Sequence, residues 1–321
     1  LSDPEPGRGP AATSRVVLVG LGNISSAHLS ALEEIGSVGN VVGVDPSPKS
    51  PATFRGAPLP VHRELRDALA APADLVVVAT PTGSHAAVVD AVRACDAGVR
   101  VLVEKPAAGN LGDARRLLAA GSGVQVILHS GFAPEVLWAA RFCGTERDRL
   151  GDIVSLAAWF GSPYADDEDR RAKSLVNSWL DSGINVLSVI ARFVVPAGVI
   201  SFRPLADHAS TFEARLRLDS DGSREGTIVT TWQAAATTQS LRLRFDDGSE
   251  LLVDLVAGAA THFRDGSVTE MFTRPGRGGH LGHQYANFYR DYFGRQQWQY
   301  PDDQVAELHA LLFSAMEGVA R

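Results

Sequence analysis

The chain has 321 residues, 45% of them hydrophobic and 21% charged, which suffices for two domains with substantial cores. Its formal charge of -7 leaves no basic surplus for nucleic acid or an anionic lipid surface, so small molecules are the expected partners. Two distant cysteines, Cys95 and Cys143, suggest neither a disulfide framework nor a zinc cluster, and no apolar run nears the ~18 residues that span a bilayer, so a cytoplasmic protein is expected.

In chain order, residues 1–14 combine prolines and glycines with almost no large apolar side chains and read as a flexible tail. From Arg15, short β-branched runs alternate with amphipathic stretches. That rhythm predicts strands at 16–19, 41–44, 75–79, 99–103 and 124–128, with helices over 84–97 and 111–120. The fold class is α/β, a doubly wound parallel Rossmann sheet over residues 15–129.

After about residue 130 the strands become longer and alternate, at 210–218, 226–233 and 240–245, with Asp246-Asp247-Gly248 turning into 250–254. Residues 130–321 are therefore expected to form an α+β domain with a predominantly antiparallel open sheet. A last helix, 302–321, starts with acidic cap candidates behind Pro301 and can pack back on the first domain. His280 and His283 stand at i, i+3, but no third ligand lies at metal-site spacing, so no metal is expected.

The first strand runs into Gly20-Leu21-Gly22-Asn23-Ile24-Ser25. Gly20 would permit the tight turn, Gly22 would let backbone approach a pyrophosphate, and a helix starting near Ile24 would meet its charge. Ser25 stands where a third glycine is usual, and a plain turn is the competing reading. Asp45 ends the second strand about 20 residues on, where a carboxylate can accept ribose hydroxyls and repel a 2′-phosphate. NAD is thus preferred over NADP, although an Asp before Pro46 also suits a turn. Thr80-Pro81-Thr82-Gly83-Ser84-His85 follows the third strand, where a polar loop would cover the nicotinamide end; His85 also reads as a structural helix-start residue. The fourth strand stops at Glu104-Lys105-Pro106, which places an acid and an amine at the sheet rim, unless they are only a solvated pair.

With Gly20-Leu21-Gly22-Asn23-Ile24, Thr80-Pro81 to His85, and Glu104-Lys105-Pro106 in this order and spacing, the chain from about Arg15 resembles the Gfo/Idh/MocA oxidoreductases. The resemblance implies a Rossmann domain followed by an open antiparallel sheet through which homo-oligomers form. Many members carry Asp-x-Gly-x-His at a helix start in the second domain, with the histidine serving proton transfer. Here the segment reads Asp181-Ser182-Gly183-Ile184-Asn185, which resembles the version of the L-arabinose and D-galactose 1-dehydrogenase branch. That likeness implies a site lined by Lys105, Asp181 and Asn185, with His129 facing a sugar.

Helical spacing puts Asp181, Asn185, Ser188 and Arg192 on one face, as any surface helix would also show. Asn177 and Trp179 offer hydrogen bonds and a stacking surface to a sugar, or a helix start and a core residue. Oxidising a carbinol requires a group that takes the hydroxyl proton, which asparagine cannot do. Lys105 and Asp181 are therefore the expected acid/base pair, with Asn185 fixing a substrate hydroxyl. The expected reaction is oxidation of an aldose at C1 to the lactone. The alternatives are a dehydrogenase or ketoreductase acting on a ring carbon of an inositol, nucleotide sugar or biosynthetic intermediate, and a dinucleotide-binding sensor without turnover.

Overall fold

The computed structural model describes residues 14–48, 51–164, 177–205, 210–276 and 279–317. Nearly all of the expected tail and the last four residues of the expected final helix lie outside the described residues. The chain divides into two compact units, Leu1–Ile127 with Leu281–Val305, and Leu128–His280 with Ala306–Arg321.

In the first unit, β1 (Ser14–Val19), β2 (Val38–Val44), β3 (Val61–His62), β4 (Leu75–Val78), β5 (Arg100–Glu104) and β6 (Val124–Ile127) form one sheet. Its order is β3-β2-β1-β4-β5-β6, and every pairing is parallel. This is the doubly wound Rossmann arrangement. Parallel strands covered on both faces must be apolar throughout. Val16, Val17 and Leu18 in β1 and all four residues of β4 are accordingly fully buried. Helices α1 (Ser25–Ile35), α2 (Leu65–Ala68), α3 (His85–Cys95) and α4 (Leu111–Leu117) occupy the connections. The two-residue edge strand β3 is too short to carry a periodic signal.

The second unit starts with the turn His129–Phe132, α5 (Pro134–Thr145) and α6 (Arg147–Leu150). Next come β7 (Ile153–Pro163), α7 (Ser178–Ile190), β8 (Gly198–Pro204), β9 (Thr211–Arg217) and β10 (Glu225–Thr231). The sheet is completed by β11 (Gln233–Phe245), β12 (Glu250–Asp254), β13 (Ala259–Arg264) and β14 (Ser267–Thr273). Its order is β8-β9-β10-β7-β11-β12-β13-β14, antiparallel except for the β10–β7 pair. Along β7, Leu156, Ala158 and Phe160 are buried while Ala157 and Trp159 are exposed, the alternation of a sheet covered on one face. Helix α7 packs on β9 and β10, and α5 on β12 and β13.

The C-terminal segment departs from the sequence expectation of a second domain running unbroken from 130 to 321. Leu281–Val305 groups with the first unit, because helix α8 (His280–Phe293) buries Tyr285, Phe288 and Tyr289, and His28 of α1 stacks edge-on to both tyrosines. The final helix α9 (Asp302–Glu317) belongs to the first unit through Val305 and to the second from Ala306 onward. There the Trp179 indole donates to the Leu312 carbonyl at 2.8 Å. Among the described residues no helix is long and apolar enough to cross a membrane.

Candidate active site

In the first unit the expected residues gather at the C-terminal ends of β1, β2, β4 and β5, the end of a doubly wound sheet where ligands bind. Gly20 has φ +95°, and a Cβ there would lie 2.7 Å from the Ala79 carbonyl oxygen. Only glycine lets this turn press against the end of β4. Gly22 differs, since a Cβ would meet nothing within 4 Å, so its surroundings have room for a ligand.

Asn23 and Ile24 lead into α1, whose first turn has neither a side-chain cap nor an acidic residue. Its amide donors and dipole favour a negative charge. The Asp45 carboxylate accepts the Leu21 amide on one oxygen (2.9 Å) and the Ser47 amide on the other (2.8 Å), which locks the glycine turn to the end of β2. Each oxygen keeps acceptor capacity for a hydroxyl. An NAD pyrophosphate and ribose fit these donors and acceptors.

Ser84 donates to Thr80 Oγ1 (2.9 Å) and to the Pro81 carbonyl (2.7 Å), which shapes the turn into α3. His85 is fully buried, with Nε2 2.8 Å from the Thr80 carbonyl and Nδ1 3.2 Å from that of Pro106. Desolvation lowers its pKa, opposed by these carbonyls and by Glu104. His85 thus staples the Thr80 turn to the Glu-Lys-Pro loop instead of reaching outward.

Glu104 ends β5 and is only 6% exposed. Its Oε1 accepts the Tyr285 hydroxyl at 2.6 Å, and Oε2 accepts the Lys105 amide at 3.1 Å. His28 Nε2 also stands 3.1 Å from Oε1, at ion-pair distance but off the axis a hydrogen bond requires. Lys105 follows, half-buried, joined to Pro106 by a cis peptide bond.

Residues 14–132 match the family profile described as "Oxidoreductase family, NAD-binding Rossmann fold", GFO_IDH_MocA. Over these residues the chain is similar to the NAD-binding domain of the Gfo/Idh/MocA oxidoreductases. No curated protein matches the sequence. Among solved structures, the chain is similar to GenD2 from gentamicin A biosynthesis in complex with NAD: TM-score 0.76, 22% identity, covering 98% of this chain and 97% of that one. It is also similar to the UDP-N-acetylglucosamine 3-dehydrogenase GnnA from Acidithiobacillus ferrooxidans, with TM-score 0.72, 16% identity and coverage of 94% and 96%. A levoglucosan dehydrogenase in complex with NADH gives TM-score 0.76 at 14% identity, with coverage of 95% and 97%. The chain therefore shares its fold with these three proteins along nearly its whole length.

The second unit holds the other expected residues. On α7, Asp181 is half-buried and its Oδ2 accepts the indole N–H of Trp232 at 3.2 Å. One turn on, Asn185 is 7% exposed, and its buried Oδ1 has no hydrogen-bond partner among the described residues. A buried amide oxygen without a partner is costly unless something else donates to it, as a substrate hydroxyl would.

Gly183 lies between them because a Cβ there would come within 2.9 Å of Leu312 and 3.0 Å of the Trp179 ring. The glycine of Asp-x-Gly-x-Asn is thus a close-packing residue. His129 is 4% exposed, with its Nδ1 3.4 Å from Ser130 Oγ. Arg192, just beyond α7, donates to the Gly131 carbonyl at 2.8 Å and covers the Phe132 ring at 4.5 Å, which ties the His129 turn to this helix.

Asn177 and Trp179 stand apart from this group. Asn177 is the N-cap of α7, its side chain accepting the Leu180 amide at 2.8 Å. Trp179 has no exposed surface and has satisfied its N–H in the core, so it offers no face for stacking. Trp232, His28 and Tyr285 escape a reading of sequence alone, because their partners lie 51, 76 and 181 positions away.

Proposed function

We propose that the protein is an NAD-dependent oxidoreductase that removes a hydride from a CH–OH group of a sugar-like polyol, at C1 of an aldose to give the lactone. The observation that carries this reading is Lys105 at the rim of a sheet whose Gly20–Gly22 turn, uncapped α1 and Asp45 carboxylate suit a dinucleotide. Bound NAD supplies the hydride acceptor. As the carbinol C–H leaves with its electron pair and the C=O forms, the hydroxyl proton passes to the Lys105/Asp181 pair. Trp232 orients the Asp181 carboxylate, and the free lone pairs of Asn185 Oδ1 receive a substrate hydroxyl. His129 contributes a polar contact to the same substrate. NAD is preferred over NADP because a 2′-phosphate would meet the Asp45 carboxylate.

The C1 reading rests on the resemblance of Asp181-x-Gly183-x-Asn185 to the L-arabinose and D-galactose 1-dehydrogenase branch. A second reading, oxidation of a ring carbon of a nucleotide sugar or biosynthetic intermediate, is favoured by the likeness to GnnA, a 3-dehydrogenase, and to GenD2.

The test is NADH formation, followed by absorbance, across a panel of aldoses, inositols and nucleotide sugars, with NADP in parallel. Turnover of an aldose with NAD supports the first reading, and turnover of nucleotide sugars alone supports the second. NAD binding without hydride transfer to any panel member overturns both in favour of a sensor. In a folded Lys105→Ala variant, turnover should fall by roughly a hundredfold or more, the scale of a lost general acid/base. Asn185→Ala should raise KM and lower kcat together; unchanged constants would remove Asn185 from the site.

A further inference from the structure

We propose that Tyr289, His28, Glu104 and Tyr285 form a buried positioning network that fixes Lys105 and couples it to the helix carrying the glycine turn. The inference rests on the role given to Lys105 above. Tyr289 Oη lies 2.7 Å from His28 Nδ1, and His28 Nε2 lies 3.1 Å from Glu104 Oε1, which also accepts the Tyr285 hydroxyl at 2.6 Å. Glu104 Oε2 then accepts the backbone amide of Lys105. Hydrogen bonds thus join Tyr285 to Glu104 and Glu104 to the Lys105 backbone, while His28, held by Tyr289, reaches Glu104 at ion-pair distance.

Three features separate this cluster from ordinary core. His28, Tyr285 and Tyr289 have no exposed surface and Glu104 almost none, in a region where apolar side chains of similar volume would be cheaper to bury. The members sit on α1, β5 and α8, and two of these elements end at the site: α1 begins just after Gly22, and β5 stops one residue before Lys105. The polar atoms also face one another: Tyr289 Oη stands at hydrogen-bond distance from His28 Nδ1, which leaves Nε2 facing the Glu104 carboxylate as an electrostatic contact. Burial and the neighbouring Glu104 push both phenols well above their usual pKa, so they remain donors at any working pH.

The sequence supplies a direct probe, because its 30 cationic side chains include just three lysines, Lys49, Lys105 and Lys173. Lysine amines reductively methylated with a 13C label should give resolved NMR signals, and Lys105→Arg assigns one of them. In Tyr285→Phe and His28→Ala, shown by circular dichroism melting to be folded, the Lys105 signal should move while the other two stay.

With unlabelled variants, kcat should fall roughly tenfold, as expected of a misplaced catalytic group. KM should change by less than about twofold, which separates positioning from loss of binding. His28→Gln, which returns an amide N–H near the place of Nε2, should recover most of the loss. Tyr292→Phe removes a hydroxyl from the same helix outside the network and should change nothing.

An unmoved Lys105 signal in the folded variants, or equal losses in His28→Gln and His28→Ala, overturns the network. Should Tyr285→Phe fail to fold, the His28 variants and Tyr289→Phe decide by the same signal. If the wild-type protein transfers no hydride, the oxidoreductase reading falls, and the Lys105 signal alone still decides whether the network positions this residue.

Discussion

A methyl group separates the two glycines of the dinucleotide turn. At Gly20 it would meet the Ala79 carbonyl at 2.7 Å, at a φ of +95° that side chains avoid. Gly20→Ala should therefore lose stability on the order of 1–3 kcal/mol from backbone strain, read as a lower urea midpoint. Gly22→Ala meets nothing, so its stability should stay within about 0.5 kcal/mol of wild type while NAD affinity, measured by fluorescence titration, falls sharply. Equal NAD affinity in a stable Gly22→Ala protein would mean that the backbone here does not approach the pyrophosphate. At this scale the sequence was most legible where local geometry sets residue type, as at Gly20, Asp45 and Glu104-Lys105-Pro106. It was least legible for Asn177 and Trp179, whose polar atoms are suited equally to a sugar, a cap or a core. In the structure Asn177 accepts the Leu180 amide and Trp179 donates to the Leu312 carbonyl.

Among the elements, α7 shows how much a single cap can govern. Twelve of its thirteen residues are buried, so its position depends on how the chain enters the helix at Asn177. Asn177→Ala should cost about 1 kcal/mol, the usual loss of an N-cap, and Asn177→Asp should retain most of that stability. If the residue only caps, thermal melts will separate these variants while KM stays alike; a KM rise in the stable Asp variant would return Asn177 to the substrate. Elements with strong periodicity, β1, β2, β4, β5, β6 and β12, were readable within a few residues. Strands β8 and β14 were not, because they lie at the sheet edges with most side chains exposed and carry no alternation to detect. Helix α8 presents an aromatic face, and which unit that face joins depends on His28, far away in sequence.

For the molecule as a whole, pH should act on stability through Glu135, which is fully buried on α5 beside Arg274. Burial pushes its carboxyl up to about 7, against the pull of Arg274, whose Nη1 lies 3.2 and 3.3 Å from the two carboxylate oxygens. The folded state thus holds this proton more tightly than the unfolded chain. The resulting stability is complete below the unfolded carboxyl pKa of about 4.3 and is lost as pH rises through about 7. Its size is on the order of 3 kcal/mol. Urea midpoints from pH 4 to 8 should fall across this window in wild type and stay flatter in Glu135→Gln; parallel curves would show that another group is responsible. We also propose a homo-oligomer formed through the eight-stranded sheet, where Trp159 is 45% and Met271 64% exposed. Light scattering that gives the monomer mass at every concentration would exclude it. The sequence by itself determined the parallel sheet, the glycine turn, the Glu-Lys-Pro rim and the helix bearing Asp181 and Asn185, because each depends on side chains within a few residues of one another. Only the tertiary structure decided that α8 returns to the first unit, that Trp179 and His85 belong to the packing, and that Glu104 is held by His28 and Tyr285. Those outcomes depend on burial and hydrogen bonds between segments far apart along the chain, which no local pattern encodes.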